Sequence, residues 1–247
     1  MLRTLEAFGL AWDGEVVRQS TRGDAYSEAL EDLRARDLVY PCSCSRGDIP
    51  PAPPGQEPRY PGTCRAGPRR TDVPLALRFR TGSFPGCVSV DDRVQGCLSQ
   101  DVDATVGDFV LRRRDGFWAY QLAVVVDDAV QGITDVVRGL DLWDNTPRQL
   151  LLQRALGLPA VRYLHLPLVT SEDGQKLAKS RRALPVDTAD TPAILSATLR
   201  ALAVPMPADL DGARPAEQLA WAVGRWDPGR LVGRSTVADA SIAALAN

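Results

Sequence analysis

Histidine occurs once in the 247 residues, at His165, and lysine only twice, at Lys176 and Lys179, among 29 basic residues. One imidazole excludes a multi-histidine metal centre and leaves no spare for a histidine-based triad. Long apolar runs are missing too. The longest, Leu122 to Val126, ends at Asp127-Asp128, far short of the roughly 18 residues a membrane span needs. The first ten residues lack the apolar stretch and small-residue cleavage site of a secretion signal. Charge of one sign is not in excess: 29 basic residues face 31 acidic ones, for a net charge of −2. That balance excludes an overall basic coat for nucleic acid and leaves room for a local patch. The prediction is a cytoplasmic protein with reduced thiols, whose five cysteines are free thiols or metal ligands.

What is present is an ordinary globular composition, 45% hydrophobic and 24% charged. The pattern reads as α/β. Leu2, Leu5, Phe8 and Leu10 follow helical spacing, Val16-Val17 suggests a short strand, and Asp24 to Leu38 predicts a helix with Tyr26, Ala29, Leu30 and Leu33 on one face. Pro41 to Pro74 loses apolar periodicity and becomes rich in Pro, Gly, Arg and Cys; so long a segment is disordered or held by something other than a core. Strands are predicted at Leu75–Phe79, Val88–Val90, Phe109–Leu111, Thr134–Val137 and Tyr163–Val169. Helices are predicted at Tyr120–Val130 and from Thr146-Pro147 to Leu156, with Thr146 as N-cap. Small helices should follow Pro185. The expected organisation is 1–40, 41–103, 104–185 and 186–247, the first and third being parts of one core.

Cys42-Ser43-Cys44 and Cys64 bracket the segment without periodicity. Three thiols around a coreless loop are what a structural zinc ion can organise, and zinc wants four ligands. No histidine is near, so Tyr60, an acidic residue such as Asp48, or water would complete the set; incidental thiols in a loop are the plain alternative. Cys87 and Cys97 read as packed strand residues, because free cysteine behaves as a small buried hydrophobe.

The two lysines lie in a polar loop, Thr170 to Ser180, after a buried strand. Loops beyond the carboxyl ends of α/β strands handle nucleotide phosphates, and a compact ammonium on a flexible stem suits a migrating phosphate charge. A solvated loop is the bland alternative. Arg138 falls at a strand's carboxyl end, where its fork can clamp a carboxylate, and Tyr120 could add a hydroxyl. An ion pair of Arg138 with Asp127 or Asp128 is the simpler expectation. Arg69-Arg70, Arg112-Arg113-Arg114 and Arg181-Arg182 are candidate phosphate contacts, although such runs are more often solvated faces.

Together, Tyr120-Gln-Leu-Ala-Val-Val-Val-Asp-Asp128, Val136-Val-Arg-Gly-Leu-Asp-Leu142, Thr146-Pro-Arg-Gln-Leu150 and Lys176-Leu-Ala-Lys-Ser180 resemble the class I glutamyl-tRNA synthetase group. The resemblance is strongest to its short branch, the glutamyl-queuosine tRNA(Asp) synthetases, because little chain follows Ser180. The last motif is similar to the second class I signature, Lys-Met-Ser-Lys-Ser, with Leu177 and Ala178 as departures. The resemblance implies a Rossmann-type class I catalytic core with a zinc-containing insertion and a small C-terminal helical region. It implies zinc on Cys42, Cys44, Tyr60 and Cys64, with Tyr60 as fourth ligand. It implies glutamate held by Tyr120 and Arg138, ATP contacted by Lys179, and Lys176 and Lys179 as the catalytic lysines. The implied reaction activates L-glutamate with ATP and Mg2+ and transfers it to queuosine in tRNA(Asp).

The first class I signature, of the type His-Ile-Gly-His, has no counterpart here, and the one histidine lies far from where it would stand. The chain therefore reads as starting inside the first half of its Rossmann core, short of at least one βα unit. Adenylate formation needs charge stabilisation on the phosphates, and losing one such donor costs about 3–4 kcal/mol. Weak or absent glutamate activation is thus the expectation. A non-catalytic remnant acting as a zinc-containing RNA-binding or interaction module and a truncated glutamyl-tRNA synthetase are the rival readings.

Overall fold

Apolar spacing places the two helices on which the core is built. In a computed structural model describing residues 1–54, 56–170, 186 and 188–238, α1 (Leu2–Ala7) is followed by α2 (Gly23–Ala35), which buries Tyr26, Leu30 and Leu33. Those positions lie four and three residues apart, one stripe of a helix. The other is α4 (Tyr120–Val130), burying Leu122, Ala123, Val125 and Val126. A polar tie joins the two: Asp127 of α4 accepts hydrogen bonds from Tyr26 Oη at 2.6 Å, Gln19 Nε2 at 3.1 Å and Arg22 Nε at 3.1 Å.

The described strands form three sheets. In the first, β1 (Val39–Cys42), β2 (Ala76–Phe79) and β5 (Val110–Arg112) run antiparallel in that order. The second contains β3 (Val88–Asp92), β4 (Gly96–Gln100), β6 (Asp135–Gly139) and β7 (Arg162–Leu166), ordered β4-β3-β7-β6. Its β3–β4 pair is an antiparallel hairpin, whereas β7 is parallel to both β3 and β6. Short α3 (Val102–Thr105) links β4 to β5, and α5 (Thr146–Ala155), buried on most sides, lies between β6 and β7. β8 (Leu168–Thr170) pairs in parallel with β9 (Thr236–Ala238). Late in the chain, α6 (Thr191–Ala201) and α7 (Pro215–Val223) make a small second core, in which Phe8 packs with Leu195, Leu199, Val204 and Ala222. No described helix is long and apolar enough to cross a membrane.

Several expectations are corrected. Val16 and Val17 form no strand; each is 46% exposed, and neither has a ladder partner among the described residues. Cys87 and Cys97 are exposed rather than packed. Val88, Val90 and Asp92 take the inward positions of β3, so Asp91 faces out, and Cys97 is its register partner. The strand expected from Tyr163 to Val169 breaks into β7 and β8 at Pro167, which has no N–H to give a ladder. Asn145, not Thr146, is the N-cap of α5, and the Thr146 hydroxyl is turned to other partners.

Next to β5, Asp108 is a buried hub. It accepts from Tyr40 Oη at 2.5 Å, from Arg65 Nε and Nη2 at 2.6 and 2.7 Å, and from the Thr81 amide and hydroxyl, both at 2.9 Å. Burial alone would raise its carboxyl pKa, but Arg65, Tyr40 and Thr81 together hold it below the usual carboxylate range. A depressed folded-state pKa contributes stability that is complete above the ordinary carboxylate value and is lost as pH falls through the lower one. Asp108→Asn should therefore cost about 2–3 kcal/mol at pH 7, less than a fully buried pair because Arg65 is partly solvated. The gap from the unmodified chain should narrow below about pH 4, which urea denaturation at pH 7 and pH 3 measures.

Candidate functional site

Two clusters collect the residues singled out by the sequence. The first lies at the carboxyl ends of the parallel pair β6–β7, where Arg138 and His165 are register partners. Arg138 donates from Nε to His165 Nε2 at 3.0 Å and from Nη2 to Thr146 Oγ1 at 2.8 Å, and its guanidinium carbon stands 5.3 Å from the centre of the Tyr163 ring. The expected ion pair with Asp127 or Asp128 does not form. Asp127 is committed to α2, and no acidic side chain among the described residues pairs with Arg138. Asp128 is instead raised above its ordinary pKa by burial, against the pull of the Arg138 charge.

Tyr120 opens α4 and is 45% exposed. Burial pushes the Tyr163 hydroxyl up to about 12, and both Arg138 and Tyr120 lie close enough to alter it electrostatically, in opposite directions. Arg138 and Tyr120 thus both act on one buried tyrosine, and the Nη1 donors of Arg138 make no hydrogen bond among the described residues. A cationic fork with open donors is suited to a carboxylate. Lys176 and Lys179 lie outside the described residues, as do Arg181 and Arg182. His165, Asp92 and Thr146 were not anticipated as parts of this cluster. The one available signal was a lone histidine in an otherwise apolar strand segment.

The second cluster gathers Cys42, Cys44 and Cys64, all buried, with their sulfurs within 4.8 Å of one another. Cys42 ends β1, and Cys44 stands two residues beyond it. Tyr60 is brought in by a backbone bridge to Gly107 and by its own N–H, which donates to Val106 O at 3.0 Å. The Tyr60 hydroxyl lies 3.3 Å from Cys42 Sγ and 3.7 Å from Cys44 Sγ, and Cys44 and Cys64 are 3.6 Å apart, sulfur to sulfur. Asp48 is occupied elsewhere, capping a short turn through Ser45 and pairing with Arg70.

Arg78 backs this cluster. Its Nε donates to Cys42 Sγ at 3.2 Å, and its guanidinium carbon sits 3.8 Å from the centre of the Tyr60 ring. Burial pushes the Cys44 thiol up to about 11. At Cys64 burial acts the same way but is outweighed by the backbone N–H groups of Arg69 and Ser43, which bring the thiol down to about 6. Three buried thiols and a phenol converging in this way can hold a metal ion.

Residues 1–194 match the family model for tRNA synthetases class I (E and Q), catalytic domain. A glutamyl-Q tRNA(Asp) synthetase of Pseudomonas fluorescens is 47% identical over 243 residues, covering 98% of this chain and 79% of its own. That of Thiobacillus denitrificans is 48% identical over 228 residues, covering 92% of this chain and 75% of its own. Among solved structures, a glutamate tRNA ligase of Elizabethkingia meningosepticum, crystallised with its amino acid, superposes with a TM-score of 0.71 at 20% identity. The glutamate-tRNA synthetase of Elizabethkingia anophelis gives 0.72 at 20% identity. These two likenesses concern the fold, and this chain spans 56% and 58% of their lengths.

The bridge that seats Tyr60 leaves no room at its partner. Gly107 has φ +72°, and a Cβ there would stand 2.1 Å from the Tyr60 carbonyl oxygen. Gly116, with φ +85° and open space around it, is the control for backbone strain alone. Gly107→Ala should destabilise the chain by at least about 2 kcal/mol more than Gly116→Ala, as chemical denaturation would show.

Proposed function

The chain belongs to the class I (E and Q) tRNA synthetase family, and from that premise we propose that it is a glutamyl-queuosine tRNA(Asp) synthetase acting in the cytoplasm. The observation that carries this reading is identity near one half, sustained over nearly the whole chain, with relatives bearing that name. In the proposed reaction the α-carboxylate of L-glutamate attacks the α-phosphorus of ATP, giving glutamyl-adenylate as pyrophosphate leaves; a hydroxyl of queuosine in tRNA(Asp) then attacks the glutamyl carbonyl, losing its proton as AMP leaves. Mg2+, when bound, would offset charge on the ATP phosphates. Arg138, its charge unpaired by any described carboxylate, would take the side-chain carboxylate of glutamate in a fork, and Tyr120 would add a hydroxyl. Lys179 would contact ATP, and Lys176 with it would follow the phosphate charge as the α-phosphorus bond is remade.

Cys42, Cys44, Tyr60 and Cys64 would hold a structural zinc ion. The donor set supports this: tetrahedral zinc with ligands near 2.3 Å (sulfur) and 2.0 Å (oxygen) spaces sulfurs about 3.8 Å apart and sulfur from oxygen about 3.5 Å, against 3.6 Å between Cys44 and Cys64, 3.3 and 3.7 Å from the Tyr60 hydroxyl to Cys42 and Cys44, and all three sulfurs within 4.8 Å of one another. When bound, zinc supplies a cross-link for a loop that has little apolar core of its own. Arg78 then serves by donating to the Cys42 sulfur and covering the Tyr60 ring.

Pyrophosphate exchange into ATP is expected to depend on L-glutamate and not on L-glutamine or L-aspartate. Labelled glutamate should reach tRNA(Asp) bearing queuosine and not tRNA(Glu); charging of tRNA(Glu) instead would identify a glutamyl-tRNA synthetase. Metal analysis should find about one zinc per chain, falling well below that in Cys64→Ser, and a content near zero in the unmodified protein would remove the zinc assignment.

A further inference from the structure

His165 is the only histidine of the chain and is fully buried on β7. Both of its ring nitrogens are engaged. Nδ1 lies 2.7 Å from Asp92 Oδ2, and Nε2 lies 3.0 Å from Arg138 Nε. A guanidinium nitrogen can only donate, so Nε2 must accept, and the imidazole proton then sits on Nδ1 and is given to Asp92. Asp92 is itself immobilised. Its Oδ1 accepts the N–H groups of Val94 and Gln95, both at 2.9 Å, and its Oδ2 accepts the backbone N–H of His165 at 3.0 Å. Burial would raise this carboxyl, but these donors hold it below the ordinary carboxylate range. Carboxylate, imidazole and guanidinium therefore form one directed chain across β3, β7 and β6.

This chain leaves Arg138 little freedom on one side and much on the other. The Nε edge is fixed by His165, and Nη2 is held by Thr146 Oγ1 at 2.8 Å and, more loosely, by Leu142 O at 3.4 Å. Trp143 meets the imidazole edge-on at 4.9 Å and Tyr163 stacks on it at 6.0 Å, so the ring that supplies the acceptor is itself wedged. The choice of partner matters. A carboxylate placed directly against the guanidinium would hold it equally well but would neutralise the charge a substrate carboxylate has to meet. A neutral imidazole fixes the geometry and leaves the charge in place. Burial, helped by the Arg138 charge, keeps His165 below its ordinary pKa against the pull of Asp92.

We propose that Asp92 and His165, with Thr146, are positioning residues that orient Arg138 so that its open donors face the carboxylate of the amino-acid substrate. The proposal rests on the reading that Arg138 holds the glutamate side chain. It gives a role to the buried histidine–aspartate pair, and it makes glutamate affinity, not ATP affinity, the property these residues control.

The single histidine makes the first test unambiguous, since long-range nitrogen-15 NMR of the whole chain reads one imidazole. The expected signature is a protonated Nδ1 and an accepting Nε2 whose shift moves in Arg138→Ala. A protonated Nε2 would overturn the proposal without any folding question. The second test is titration with L-glutamate and, separately, with ATP. His165→Leu and Thr146→Val should each weaken glutamate binding, His165→Leu by about 10- to 100-fold, and leave ATP binding unchanged. His165→Gln, whose amide oxygen can still accept from Arg138 Nε, should recover most of the loss. In an Arg138→Ala background the His165 changes should add less than about twofold. If Arg138→Ala loses glutamate while folded His165→Leu and Thr146→Val bind it normally, the positioning role is wrong and the substrate reading stands. If Arg138→Ala itself binds glutamate normally, the substrate reading fails and takes the positioning role with it.

Discussion

The sheet that carries the candidate site is joined in its middle by one carboxylate. β3 and β7 share a single register pair, Asp92 with Tyr163, whereas β6 and β7 share five and the β3–β4 hairpin another five. The backbone alone would leave this junction weak. Asp92 closes it from the side chain, capping the turn at Val94 and Gln95 after its own strand and accepting both the backbone N–H and the ring N–H of His165 on the next. Buried hydrogen bonds to a charged acceptor are worth more than neutral ones and are costly to lose. The same contact that holds the sheet together also sets the tautomer of His165 and, through it, the direction of Arg138. Stability and site geometry share one group.

A second carboxylate organises the cysteine region on a similar plan. Asp108 draws in Tyr40 from β1, Thr81 from the turn after β2, and Arg65 from the loop beyond Cys64. Its carbonyl accepts from Arg78, whose other contacts are the Cys42 sulfur and the Tyr60 ring. Here ionic and sulfur contacts stand where an apolar core would otherwise be. The cluster of Cys42, Cys44, Tyr60 and Cys64 has Ile49 as its partly buried hydrophobic neighbour, so a bound metal would supply cohesion that burial does not.

Much of this was legible in the residues. The stripe Tyr26, Leu30, Leu33 and the run Tyr120–Val130 became helices at nearly the expected bounds, because strong apolar periodicity leaves little else for such segments to do. The cysteine spacing marked the residues that meet around Tyr60, and the motif order marked the family. Short apolar fragments were less reliable. Val16-Val17 has strand propensity but no strand to pair with among the described residues, and propensity without a ladder does not make a sheet. Cys97 has the chemistry of a buried residue, but its register opposite Asp91 turns it outward.

The sequence by itself determined the α/β class, the principal helices, the thiol cluster and the family, since each is written in local spacing or in motifs read along the chain. Only the tertiary structure decided what Arg138 and His165 do. They stand 27 residues apart, and Asp92 stands 73 residues before His165. The sequence suggested an ion pair with Asp127 or Asp128, both nearer along the chain. The parallel register of β6 with β7 instead set Arg138 against an imidazole, and α4 turned Asp127 towards Tyr26. A hydrogen bond is selected by distance and angle in space, and no periodicity within a strand or helix carries that information for residues on different strands.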